Sequence, residues 1–216
     1  MSISDSERKK LAIQVIDILK NVYPDAKPLL RYKNCFELLI ATILAAQCTD
    51  QRVNTVTPAL FLRASSPKMM TSVPQAELER LIHSTGFFRN KAKNILALCD
   101  ALIKNHEGEV PDTIEKLVTL PGIGRKTANV IIGHCFAKPA VIVDTHFKRV
   151  SFRIGLTTEN NPDKLEADIR SFLPEQHQTI LSDVVNWHGR FRCKSRKPDC
   201  PGCEIKQLCR YPDKTV

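Results

Sequence analysis

A chain of 216 residues, 43% of them hydrophobic, is long enough to bury a sizeable core in one domain or two small ones, which excludes a disordered or fibrous protein. Its 32 Lys and Arg against 23 Asp and Glu leave a net charge of +9, a surplus that attracts polyanions, nucleic acid first among them, or keeps a solvated surface soluble. No run approaches the roughly 18 apolar residues of a membrane span, and the N-terminus MSISDSERKKLAIQVIDILK lacks the apolar stretch of a secretion signal, so a cytoplasmic, nucleoid-associated protein with reduced thiols and no membrane partner is expected.

Apolar residues recur at steps of three and four nearly everywhere. Leu11, Val15, Ile18, Leu19 and Val22 mark an amphipathic first helix, opened by Ser4 with Glu7 three residues on. The same cap-then-acid spacing stands at Asn34/Glu37 before FELLIATILAA and at Asp112/Glu115 before KLVTL. Pro74 and Pro162 are placed for first helical turns after the candidate caps Ser72 and Asn161, while Gly86, Gly108 and Gly133 are candidate stops or turns. Only AVIVD, residues 140–144, reads even briefly as a strand. About ten helices joined by short loops make an all-α fold.

Between two of these helices, LVTLPGIGRKTANVII is broken by Pro121, Gly122 and Gly124, which demand a tight turn. Two glycines permit positive φ and close approach of a ligand, and the helix that follows aims unpaired N–H groups at the turn. A DNA phosphate suits that place; an ordinary helix–turn–helix corner is the plainer alternative. Lys126 falls in the first turn of the second helix, where the helix dipole disfavours an ammonium ion, so it reads either as an amine nucleophile or as a phosphate contact. Asp144 closes the apolar run AVIVD; a carboxylate there needs a partner, and capping the helix from Thr145 onward is one way to find it.

The eight cysteines divide in two. Cys35, Cys48, Cys99 and Cys135 are scattered through helical patterns, whereas Cys193, Cys200, Cys203 and Cys209 form one C-x6-C-x2-C-x5-C tail, a compact set of soft metal ligands. Spacing alone does not fix the metal, since the tail matches neither the paired knuckles of zinc sites nor the bacterial ferredoxin run. Arg190, Arg192, Lys194, Arg196 and Lys197 stand around it, and a loop pinned in shape by a metal centre could use such cations to hold a phosphate.

LPGIGRKTANVII followed by VDTHFKRV and the cysteine tail closely resembles the endonuclease III family of DNA glycosylases. FELLIATILAAQCTDQRVN, residues 36–54, and GFFRNKAKNI, residues 86–95, resemble the family's two DNA-facing loops, so the resemblance covers nearly the whole chain. It implies two helical lobes flanking a DNA-binding cleft: a six-helix domain over 28–138 with a helix-hairpin-helix at about 113–133, and a second domain from 1–27 plus 139–216 carrying an iron-sulfur loop at 193–209. By resemblance Lys126 attacks C1′ of a flipped nucleotide and Asp144 assists. Cys193, Cys200, Cys203 and Cys209 hold a [4Fe-4S] cluster, and Gln47 and Phe87 fill the gap in the duplex. Gly122, Gly124, Arg125, Thr127, His146, Arg149, Arg190 and Lys194 complete the expected DNA-facing set.

The implied protein is a monomer acting on double-stranded DNA that contains damaged bases or abasic sites. It removes oxidised or ring-saturated pyrimidines and cuts the abasic site by β-elimination through a lysine Schiff base. Many relatives carry leucine where this chain has Phe87, and the neighbouring Phe88 leaves open which ring wedges and which packs. A monofunctional adenine-mismatch glycosylase fits less well, because such relatives lack lysine at the position of Lys126. A non-catalytic DNA clamp built on the hairpin is the rival from outside the enzymes.

Overall fold

The computed structural model describes residues 4–215. Among them are eleven α-helices, one 3-10 turn and no strand, an all-α architecture. In chain order the helices are α1 (Asp5–Val22), α2 (Cys35–Leu44), α3 (Asp50–Arg63), α4 (Pro67–Thr71), α5 (Gln75–Ile82) and α6 (Phe88–His106). They continue with α7 (Ile114–Leu117), α8 (Arg125–Cys135), α9 (Thr145–Ile154), α10 (Pro162–Phe172) and α11 (Glu175–Phe191); the 3-10 turn His83–Thr85 lies between α5 and α6.

The chain divides into two compact units, Leu29–Ala137 and Met1–Pro28 with Lys138–Val216. In the first, α2 packs on α3, α6 and α8, and α6 on α4 and α5, around Leu38, Leu39, Leu44, Leu60, Leu78, Ile82, Ile95 and Leu98, all with no exposed surface. In the second, α11 packs on α1, α9 and α10; Leu11, Val15 and Leu19 of α1 meet Phe147, Val150, Leu165, Ile169, Leu181 and Val185. Ile205, from beyond the last helix, enters that same core and with it anchors the cysteine tail. Fully burying a side chain of this size contributes about 1.5–3 kcal/mol relative to leaving it in water.

Helix starts follow local chemistry. Ser4 and Glu7 form the reciprocal capping box, Asn34 accepts from the Glu37 amide, and Asn161 caps α10 with Pro162 at its first position. Elsewhere the local signals mislead. Thr113, not Asp112, caps α7, its hydroxyl accepting from the Lys116 amide. Ser72 ends α4 by donating to the Met69 carbonyl, and Pro74 itself occupies the cap position of α5, where it offers no side-chain bond. Gly133 lies inside α8 and ends nothing. The strand-like AVIVD run belongs to neither helix nor strand, and two of its amides go to α11 instead of a ladder: Ala140 N–H donates to Thr179 Oγ1 at 3.2 Å and Ile142 N–H to Ser182 Oγ at 2.9 Å.

Candidate active site and nucleic-acid interface

The hairpin is a short α7, a turn over Pro121–Gly124, and α8. Leu117, Leu120 and Ile123 are buried beneath it, so the turn is held from below by apolar side chains. Gly122 adopts φ +79, and a Cβ there would lie 3.1 Å from Asn94 Cβ, so backbone and space both call for glycine. Gly124 differs from the expectation of positive φ: it is extended (φ −95, ψ 172) and caps α8 without a side chain, with open space where a Cβ would stand. The first turn of α8 therefore presents its N–H groups with no side-chain cap in front of them, the arrangement that receives anions. Lys126, the second residue of α8, is exposed, as is Arg125, and Thr127 is half-buried.

In the same unit, Gln47, Phe87, Glu107 and Ala137 adopt left-handed backbone without being glycine, and the first two follow segments that share a tie. Gln47, at φ 53 in the loop after α2, and Phe87, at φ 47 before α6, are both exposed, Phe87 to 64%. Each such conformation costs a non-glycine residue roughly 1–2 kcal/mol and persists only where its surroundings impose it. Lys91, 5% exposed, donates its Nζ to the Leu44 carbonyl and to the Thr85 carbonyl, both at 2.8 Å. Burial holds its pKa below the ordinary lysine range. Phe88 turns the other way from its neighbour: it is half-buried, with its ring centroid 4.4 Å from that of His83.

In the other unit, Asp144 is the N-cap of α9. Its Oδ1 accepts from the Phe147 amide at 2.7 Å and its Oδ2 from Asn186 Nδ2 at 2.5 Å, while Asn186 Oδ1 accepts from Arg190 Nε at 2.8 Å. Capping and a side-chain partner thus coexist on one half-buried carboxylate, one oxygen for each. His146 is half-buried; its Nδ1 lies 3.2 Å from Arg149 Nη2, and burial lowers its pKa, against the pull of Asp144. Glycine at 189 allows α9 and α11 to close here: a Cβ would lie 2.9 Å from His146 Cβ.

After α11 the chain wraps so that Cys193, Cys200, Cys203 and Cys209 line one void with Val150, Ile154 and Ile205. The void gives ≈ 20 Å³ to the centre of a water-sized sphere, above the roughly 10–15 Å³ that one water requires. Arginines brace the wall. Arg153 donates to Cys193 Sγ at 3.3 Å and to the Lys194 carbonyl at 2.8 Å, and Arg192 is ion-paired with Asp199 and with Glu204. The buried His188 places Nε2 3.5 Å from Cys203 Sγ. Burial raises the Cys203 thiol to about 11 and pushes the Cys209 thiol up.

The family model for HhH-GPD superfamily base excision DNA repair proteins matches residues 40–175, a span that contains Gln47, Phe87, the hairpin and Asp144. Endonuclease III of Synechocystis sp. is 47% identical over 94% of this chain and 94% of its own. The chain belongs to the endonuclease III family. It is therefore a base excision DNA repair enzyme. Two solved structures, a non-covalent endonuclease III–DNA complex and a trapped endonuclease III–DNA covalent intermediate, each match at TM-score 0.88 and 40% identity, covering 96% of both chains.

Within this endonuclease III fold, the residues read from sequence meet different fates. Gln47, Phe87, Lys126 and Lys194 are exposed. Arg149 is turned inward, donating to the Gly189 carbonyl at 2.8 Å and the Cys193 carbonyl at 3.0 Å, so it joins α9 to the cysteine loop. Sequence reasoning missed Lys91 and Asn186. Lys91 was legible in principle, because it shares the helical register of Ile95, Leu98 and Leu102, the buried face of α6.

Proposed function

We propose that this enzyme excises oxidised or ring-saturated pyrimidines from duplex DNA and then cuts the strand, with Lys126 as nucleophile and Asp144 as the charge-stabilising carboxylate. The observation that carries the reading is Lys126 itself: an exposed amine on the second residue of a helix without a side-chain cap, directly after a glycine turn, in a chain 40% identical to a protein trapped covalently on DNA. Gln47 and Phe87 enter the duplex and occupy the space the extruded nucleotide leaves. The unprotonated Nζ bonds to C1′ as the C1′–N bond breaks, and the base departs with the electron pair and is protonated. Positive charge that builds on the sugar during departure is stabilised by the Asp144 carboxylate. Loss of a proton from nitrogen and opening of the sugar ring give an iminium, which acidifies C2′–H. Removal of that proton expels the 3′ phosphate, and water then releases the lysine. The N–H groups of the first turn of α8, with Gly122, Gly124, Arg125 and Thr127, hold a backbone phosphate, and His146, Arg190 and Lys194 supply further contacts.

Cys193, Cys200, Cys203 and Cys209 would hold a [4Fe-4S] cluster. Several features support the fit. All four thiols line one void, and four soft sulfur donors around one space suit an iron-sulfur centre. Burial alone keeps Cys203 protonated, and a cationic centre reverses that balance. When bound, the group supplies a covalent pin for a tail that otherwise enters the core only through a few residues such as Ile205. Cys203→Ser should cost the protein its visible iron-sulfur absorption, lower its thermal midpoint and make residues beyond 193 susceptible to protease; a colourless, equally stable and equally resistant variant would refute the assignment.

A panel of duplexes, each bearing one lesion, tests the activity by strand scission. Cutting at ring-saturated and oxidised pyrimidines is expected, with adenine opposite a damaged purine left intact. Excision confined to mismatched adenine, with no strand scission, would overturn the reading.

A further inference from the structure

Lys91 is the one buried lysine among the described residues of unit Leu29–Ala137, and no step of base excision or strand cutting uses it. It lies on the apolar face of α6, yet it reaches out of that helix to two other segments. The Leu44 carbonyl it holds is a terminal carbonyl of α2: the amide that a continuing helix would aim at it, that of Cys48, goes to Ala45 instead. Thr85, whose carbonyl is the other acceptor, is the last residue of the 3-10 turn. The backbone amide of Lys91 also donates to the Phe87 carbonyl at 3.0 Å.

Gln47 follows Leu44 by three residues and Phe87 follows Thr85 by two, so each left-handed residue sits just beyond a carbonyl that the same ammonium grips. Backbone bonds hold each loop locally, Cys48 N–H to the Ala45 carbonyl and Gly86 N–H to the His83 carbonyl, but Phe87 caps α6 without a side-chain bond, and Gly86 before it, at φ 70, has no heavy atom near its missing Cβ. Two exposed side chains on unfavourable backbone, fixed to one buried donor, are a paired device.

We propose that Lys91 is a positioning residue for duplex opening: its ammonium sets the spacing and the left-handed presentation of the Gln47 and Phe87 loops, so that both enter the DNA as a unit. This rests on the reading of those two residues as the wedge. A preorganised wedge meets the duplex without first ordering two loops, and the cost of its strained backbone is met on folding instead of at the moment of extrusion. The device acts before chemistry and leaves the nucleophile untouched.

The test compares two duplexes of one sequence under single-turnover conditions with full-length protein: one carries a paired ring-saturated pyrimidine, the other a preformed abasic site with no base to extrude. For Lys91→Met, excision at the paired lesion should fall about tenfold or more, while scission at the abasic site stays within about threefold of wild type. 2-Aminopurine opposite the lesion should brighten more slowly than with wild type. A purely structural lysine would lower both reactions together, and equal losses, or full activity on the paired lesion, overturn the proposal. Should the methionine variant not fold, Lys91→Arg keeps the charge on a longer, planar group that cannot sit on both carbonyls alike; the same selectivity is expected in smaller degree, and equal losses again overturn it. Wild-type protein inert on both duplexes would overturn the proposed activity, and this proposal with it, whereas an active wild type with equal losses in the variant overturns this proposal alone.

Discussion

Lys126→Gln is expected to abolish covalent capture on abasic-site DNA under borohydride and to lower strand scission about 10³-fold or more, roughly 4 kcal/mol of barrier. Glutamine keeps much of the length and the polarity, but its nitrogen lone pair is delocalised into the carbonyl and forms no iminium. Because Lys126 is exposed on the outer turn of α8, the substitution should leave thermal stability within about 0.5 kcal/mol of wild type. These readouts separate the two meanings of a lysine beside a glycine turn. A phosphate contact predicts weaker, less salt-sensitive binding with the adduct still trapped; a nucleophile predicts binding largely kept and the adduct gone. A trapped adduct in the variant would transfer the chemistry to another amine.

The parts of this protein that could be read locally are those whose partners lie within one helical turn. Ser4 and Glu7 announce α1 because the capping box closes over three residues, and Asn161 with Pro162 announces α10 for the same reason. The hairpin was legible because glycine at 122 is required by its own backbone angle. Misreadings arose where local chemistry admits several outcomes: Gly133 is tolerated inside α8, and the apolar AVIVD run satisfies two of its amides on the hydroxyls of Thr179 and Ser182, about 40 residues away. Asn186 and Lys91 went unseen because one partner of each, Asp144 and the Leu44 carbonyl, lies 42 and 47 residues off along the chain. Of the two, only Lys91 left a trace, a cation in the register of a buried face. Arg149 and Arg192 show the converse: in sequence Arg149 is expected to face DNA and Arg192 is one of five cations around the tail, whereas in the fold both brace the cysteine loop.

For Asp144→Asn, single-turnover base excision should fall about 10²- to 10³-fold while DNA binding is retained. The substitution is nearly isosteric, and its surviving oxygen can still accept from the Phe147 amide, so the cap of α9 is kept. The other half of the side chain changes sense. An amide nitrogen would face Asn186 Nδ2, donor against donor, and turning Asn186 over to relieve this presents a second donor to Arg190 Nε. The expected stability cost is therefore that of about one lost hydrogen bond, ~1 kcal/mol, far below what unfolds a domain. Asp144→Ala, by contrast, removes the cap as well and should cost about 1 kcal/mol more. If excision followed stability, the alanine variant would be clearly worse than the asparagine one. If it follows charge, the two should be nearly equal in excision and different in thermal midpoint. Scission at a preformed abasic site, where no base departs and less charge builds on the sugar, should suffer less than excision in both. Excision at the wild-type rate in Asp144→Asn would remove this carboxylate from the reaction and leave it the cap of α9 alone.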